Sequence, residues 1–119
     1  MQNTQGSRRE AMVAQLSPAA RHGTGPLAGL MRDGALHCVF QPLADLREGS
    51  VYAHEALIRG PHGGPWHAPD ALLAQARSEG VLQDFELFCV FTALEQWSAQ
   101  ATPGRLFVNI SADALVHGV

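Results

Sequence analysis

The sequence contains no lysine, one tyrosine and two cysteines among its 119 residues. All eight members of the lysine and arginine class are therefore arginines, and the net charge is −3 at pH 7. Such a balance gives no general attraction to nucleic acid polymers or anionic lipid. No apolar run approaches the roughly 20 residues of a membrane span, and no apolar signal core follows the N-terminus. We therefore expect neither a nucleic-acid-binding protein nor a membrane span.

The two cysteines, Cys38 and Cys89, stand alone in apolar segments without the spacing of a metal site. We expect buried free thiols, which are typical of a reducing, cytoplasmic compartment. Hydrophobic residues make up 46% of the chain and charged residues 16%. This composition predicts one globular unit or part of one.

The central feature is a predicted β-hairpin. Two apolar runs, 36–46 and 51–58, flank the polar turn Arg47-Glu48-Gly49-Ser50. Alternation along the second strand puts Glu55, Leu57 and Arg59 on one face. A carboxylate on a largely apolar strand needs an ion pair, hydrogen-bond donors, a metal or solvent. From spacing alone, an ion pair with Arg59, a solvent-facing side of the hairpin and a metal site all remain open.

Several short motifs surround this hairpin. Gln41-Pro42 precedes the Asp-Leu-Arg-x-Gly turn, and Glu55-Ala56-Leu57 with Arg59 follows it. Phe107-Val108-Asn109-Ile110-Ser111 comes some fifty residues later. Together these motifs resemble those of the EAL domain, a family of cyclic di-GMP phosphodiesterases. The resemblance extends from about Leu36 to the C-terminus. Five features in the right order make it far more specific than an isolated Glu-Ala-Leu.

The resemblance implies roles for particular residues. Glu55 and Asn109 would bind a divalent metal, Mg²⁺ or Mn²⁺, whose preferred ligands are carboxylate and amide oxygens. Arg59 would contact a substrate phosphate, and Gln41 and Leu57 would lie by the nucleotide. The implied reaction is hydrolysis of cyclic di-GMP to the linear dinucleotide, with two metal ions assisting.

The rest of the chain predicts helices and one further strand. Residues 1–25 are expected to be a leader with a possible helix from Ser7 to Leu16, capped by Ser7 and Glu10, that frays or docks on a partner or the core. Further helices are predicted at Pro26–Arg32, Pro69–Ser78 and Gln83–Gln100. Arg105–Ile110 reads as a central parallel strand buried on both sides, and Ser111 as the cap of a helix from Ala112.

Two side-chain groups outside the motifs receive structural interpretations. His62 and His67 lie in a loop rich in Gly and Pro, and we expect exposed loop residues there, not metal ligands. Glu86 is expected to be either a helix-surface residue or one that interacts with the positive N-terminal end of the helix dipole.

The predicted fold class is α/β: a hairpin, helices and a parallel strand that form an incomplete TIM-type (β/α) barrel over residues 26–119. Such barrels need about 250 residues. The family's other acidic ligands and its active-site lysine would lie beyond Val119, so no complete catalytic set is expected. We therefore expect an inactive fragment of a phosphodiesterase, whose open strand edges are covered by a missing C-terminal part or by homo-oligomerisation.

Two alternatives from other functional classes remain. One is a non-catalytic EAL-like module that binds cyclic di-GMP or a protein partner. The other is an unrelated small α+β interaction domain with an accidental Glu-Ala-Leu.

Overall fold

A computed structural model describes residues 4–100 and 104–109. Its helices and strands follow in the order α1 (Thr4–Val13), α2 (Pro18–His22), α3 (Pro26–Asp33), β1 (His37–Ala44), β2 (Val51–Arg59), α4 (Pro69–Glu79), α5 (Leu82–Gln100) and β3 (Arg105–Val108). The described residues thus form a mixed α/β unit. None of their helices has the length and hydropathy needed to cross a membrane.

The hairpin prediction is confirmed, because β1 and β2 pair in antiparallel fashion. Gly49 adopts a φ of +70°, which a residue with a Cβ atom seldom accepts. The Asp45 carboxylate accepts a 2.7 Å hydrogen bond from the backbone N of Arg47 inside the turn. The turn is therefore closed by local interactions that its own residues encode.

One extra residue in β2 shifts the hairpin register. Ala44 lies opposite Val51, but Leu43 lies opposite Ala53, so that Tyr52 has no partner of its own. Such a β-bulge moves every later pair by one position. As a result Gln41 lies opposite Glu55 instead of His54, and the two side chains share a face.

The third strand differs from its prediction. β3 pairs in parallel with β2 after the crossover through α4 and α5, in the order β1-β2-β3. It ends at Val108 and lies at the edge of the described sheet, where Phe107 remains 45% exposed. The expectation of burial on both sides was wrong, because the described residues cover only one face. Residues 110–119, including the predicted Ser111 cap and the helix from Ala112, lie outside the described residues. Three strands do not close a barrel, and the TIM-type barrel stays a prediction.

Helices α3 and α4, which are bounded by proline and glycine, begin and end within one residue of their predicted bounds. α3 starts after Gly25 with Pro26 at its first turn and stops at Gly34, whose φ is +68°. α4 ends in the same way at Gly80, with a φ of +72°. α5 buries Phe85 and Phe88, whereas its Leu94 is 53% exposed. The principal core is formed by buried residues of α3, α4 and α5 and their flanks: Leu27, Met31, Leu36, Leu72, Ala76, Val81, Phe85 and Phe88.

The segment before α3 is packed on this core. Leu16 and Ala20 are buried within it. α1 begins at Thr4, so Ser7 lies inside the helix and the expected cap at Ser7 was wrong. Pro18 begins α2, which the sequence analysis missed, and the Ser17 side chain caps that helix. Of the alternatives for this segment, a frayed leader or a helix that docks, the structure shows docking on the core.

Candidate functional site

The site lies on the face of the sheet that the described helices leave open. The other face packs on α5, where Phe40 and His54 each place a ring 5.2 Å from the Trp97 ring. On the open face the register aligns Gln41, Glu55 and Phe107 in one row across the three strands. Val39 on this face is 42% exposed. The open face therefore presents polar groups on an apolar, solvent-accessible surface.

Glu55 and Asn109 come together on this face. Asn109 directly follows β3, and its Nδ2 donates a 2.9 Å hydrogen bond to Oε2 of Glu55. Glu55 is half-buried and Asn109 exposed. Among residues 4–100 and 104–109, Oε1 of Glu55 and Oδ1 of Asn109 have no other hydrogen-bond partner. These are hard oxygen donors of the kind that Mg²⁺ and Mn²⁺ prefer.

This pair supplies only part of a metal coordination shell. Mg²⁺ takes six ligands, and a carboxylate with an amide provides two. Within residues 4–100 and 104–109, no three His, Cys, Asp or Glu side chains gather in a way that could hold a metal ion. The donor set fits one flank of a divalent-metal site.

Arg59 does not neutralise Glu55. Its Nη1 donates a 2.8 Å hydrogen bond to the carbonyl of Ile58, and no ion pair joins it to Glu55 in the part of the chain described. The ion-pair alternative for these two residues was therefore wrong: the hydrogen-bond partner of Glu55 is the amide of Asn109. Arg59 is half-buried at the end of β2, and its other N–H groups have no hydrogen-bond partner within the part of the chain that the structure describes.

The structure places the two remaining predicted residues beside this pair. Gln41 is exposed and lies directly across β1 from Glu55. Leu57 is half-buried and, with Asn109, borders a cavity of about 400 Å³ between the sheet and helices α4 and α5. Gln41 thus lies on one strand beside Glu55 and Asn109 directly after the other, whereas Leu57 and Arg59 lie farther along β2 itself.

The cavity wall contains both cysteines and Glu86. Cys38 is buried and Cys89 partly buried, and neither forms a disulfide. Burial raises the pKa of the Cys38 thiol to about 11, although the nearby Arg59 charge opposes the shift. Burial also raises the pKa of Cys89, and the neighbouring Cys38 and Glu86 add to this rise. Both thiols are therefore protonated and unreactive near neutral pH.

Two further residues lie near the site. Glu86 is half-buried at the cavity, close to the N-terminal end of α5, and its role at the helix dipole stays a prediction. His37, which the sequence analysis did not select, lies opposite Arg59. Counting strand pairs outward from the turn places His37 opposite Arg59 only when the unpaired residue Tyr52 is skipped.

The two loop histidines are placed apart from this site in the chain, between β2 and α4. Their ring centroids are 5.3 Å apart, and Nδ1 of His67 lies 3.1 Å from the carbonyl oxygen of Gly60. That neither histidine binds a metal stays a prediction.

Comparison with known proteins identifies the class to which this fold and these motifs belong. The model of the EAL domain matches residues 26–118, so the chain belongs to the EAL domain family. The chain is also similar to the probable cyclic di-GMP phosphodiesterase PdeB of Escherichia coli (strain K12), with 28% identity over 88 residues. That alignment covers 71% of this chain and 17% of the relative, so the chain spans about a sixth of the relative's length. No solved structure matches the chain.

Proposed function

We propose that the chain forms the N-terminal portion of a cyclic di-GMP phosphodiesterase domain, in the cytoplasm, and contributes metal ligands and part of the substrate pocket. The observation that carries this proposal is the 2.9 Å contact between Asn109 and Glu55, two family motif residues 54 positions apart. The EAL family and the similarity to PdeB support cyclic di-GMP as the ligand. A TIM-type barrel is the fold that the family implies for the complete domain.

Each predicted residue has a distinct task in this proposal. Glu55 and Asn109 hold Mg²⁺ or Mn²⁺ through their oxygens, and the metal, when bound, supplies positive charge to the phosphate and activates water. Arg59 donates two N–H groups to phosphate oxygens, a geometry that suits a planar guanidinium. Gln41 offers an amide to the nucleotide, and Leu57 provides an apolar contact.

Hydrolysis of one phosphodiester bond needs more than these residues. One carboxylate and one amide leave most ligand positions of two divalent ions to water. We therefore expect the chain alone to bind the dinucleotide weakly and not to hydrolyse it. A role as a cyclic di-GMP receptor or protein-interaction module is the alternative.

Calorimetric titration of the chain with cyclic di-GMP, with and without Mg²⁺, tests the proposal. We expect Mg²⁺-dependent binding that Arg59→Gln weakens about tenfold or more, because hydrogen bonds to charged groups contribute roughly 1.5–3 kcal/mol. Arg77→Gln is the matched control, since Arg77 lies exposed in the last turn of α4. Equal affinity with and without Mg²⁺ would favour the receptor. Equal affinities of wild type and Arg59→Gln would refute the proposed substrate site.

A further inference from the structure

The start of β1 brings an imidazole beside Arg59. His37 is the first residue of β1 and lies directly opposite Arg59, the last residue of β2. Directly opposed residues of an antiparallel pair project to the same face with Cβ atoms about 4.5–5.5 Å apart. His37 therefore shares with Arg59 the end of the open face that lies beyond Glu55.

Neither side chain has an anionic partner in the described part of the chain. Arg59 donates to the Ile58 carbonyl, and no hydrogen bond or ion pair to the His37 ring occurs among residues 4–100 and 104–109. Two groups that can both carry positive charge are unfavourable when directly opposed, unless an anion lies between them. The pair thus has the chemistry of an anion-binding site.

The helix-side neighbours of His37 are already engaged. His37 also borders a cavity of about 180 Å³ that Glu95 and Gln96 line. Glu95 forms an ion pair with Arg8 at 3.4 Å. Gln96 accepts from the Cys38 backbone N at 2.6 Å and donates to the Cys38 carbonyl at 3.1 Å. These contacts leave the imidazole available to a ligand on the open face.

The distance from Glu55 indicates which part of the dinucleotide His37 would meet. Arg59 is four residues beyond Glu55 on β2, which corresponds to about 13 Å along a strand. The imidazole is short, so a group that it touches lies well away from the Glu55 carboxylate. Cyclic di-GMP carries two phosphodiester groups, and only one of them can lie at the metal ligands.

We propose that His37 is a specificity-determining residue that, with Arg59, binds the phosphate of the dinucleotide remote from Glu55 and Asn109. An N–H group of the imidazole donates to a non-bridging phosphate oxygen, and the Arg59 guanidinium donates to the same phosphate group. This inference rests on the proposed function above. It adds a substrate contact outside the motif residues.

Two measurements on the full chain test the inference. The first compares cyclic di-GMP affinity among wild type, His37→Ala and His37→Asn, which retains an N–H donor. His22→Ala is the control, because His22 is exposed at the end of α2. We expect a loss of about tenfold for His37→Ala, the scale of one hydrogen bond to a charged group. His37→Asn should retain most of the affinity, and His22→Ala should match wild type.

The second measurement follows the ¹⁵N signals of the His37 ring by NMR while inorganic pyrophosphate is added. We expect saturable shifts that Arg59→Gln weakens, whereas the His22 signals stay in place. Unchanged affinity in His37→Ala together with a loss in Arg59→Gln would overturn this inference and leave the proposed function intact. If wild type bound no dinucleotide, the proposed function would fail. Absence of pyrophosphate shifts at His37 would overturn the inference in either case.

Discussion

The contact between Ser17 and Asp84 tests whether the N-terminal segment belongs to the folded unit. The Asp84 carboxylate accepts a 2.9 Å hydrogen bond from the Ser17 backbone N and a 2.6 Å hydrogen bond from the Ser17 hydroxyl. Asp84 lies in the first turn of α5, and Ser17 caps α2. Asp84→Ala removes both acceptors and leaves the Ser17 N–H without its partner.

The expected loss can be derived from these two bonds. A hydrogen bond to a charged group contributes roughly 1.5–3 kcal/mol, and two bonds that share one carboxylate are not fully additive. We therefore expect the free energy of unfolding to fall by about 2–4 kcal/mol in Asp84→Ala. Asp84→Asn keeps one carbonyl acceptor and should lose about half as much. Glu48→Ala, which removes an exposed acidic residue of the hairpin turn, should change it by less than about 0.5 kcal/mol.

Urea unfolding, followed by circular dichroism, measures these differences through the midpoint and slope of the transition. Hydrogen exchange of residues 4–22 provides the local readout, because weaker docking should speed exchange there before it affects α5. Equal unfolding free energies in Asp84→Ala and Glu48→Ala would refute the reasoning. The segment would then contribute nothing measurable through this contact.

Three further predictions concern glycines, thiols and assembly. Gly80→Ala should destabilise the protein by about 1 kcal/mol or more, because an L residue resists a positive φ. Gly29→Ala lies inside α3, where a Cβ meets no atom within 4 Å, and should stabilise the protein by about 0.5–1 kcal/mol. Chemical denaturation measures both changes in the free energy of unfolding, and equal changes would contradict the prediction. Because burial raises the pKa of Cys38 and Cys89, their thiols ionise at lower pH in the unfolded chain than in the folded one. The free energy of unfolding should therefore fall as the pH rises above the usual thiol pKa of 9.0. Denaturation at pH 8, 9.5 and 10.5 measures this trend, and its absence would show that the thiols are exposed. The open face should favour self-association, and size-exclusion chromatography with light scattering would contradict this by showing a monodisperse monomer that melts cooperatively.

Local signals explain the features that could be predicted from the sequence. The turn around Gly49, the proline at the start of α3 and the glycine at the end of α4 act within a few residues. Alternation along β2 also predicted the face that Glu55 shares with Leu57 and Arg59. These interactions are short in sequence, so that composition and spacing reveal them.

The features that escaped prediction depend on contacts between distant residues. The docking of the segment before α3 includes the contact of Ser17 with Asp84, 67 positions away. The β-bulge at Tyr52 has no local signature, although the Tyr52 and Phe107 ring centroids, 6.4 Å apart, indicate how the bulged side chain packs. Without that bulge the position of His37 opposite Arg59 could not be deduced. The convergence of Asn109 and Glu55 was expected from the family motifs, since spacing alone also left an ion pair of Glu55 with Arg59 open.

Metal binding tests the central claim most directly, namely that Glu55 and Asn109 act together as oxygen ligands. Electron paramagnetic resonance of free Mn²⁺ measures its binding to wild type, Glu55→Gln, Asn109→Leu and the control Glu48→Gln. We expect wild type and Glu48→Gln to bind Mn²⁺ alike. Glu55→Gln, which loses the carboxylate charge, and Asn109→Leu, which loses an oxygen ligand, should each bind at least about tenfold more weakly. Equal Mn²⁺ affinity in all four proteins, or no binding by wild type at millimolar Mn²⁺, would contradict the account.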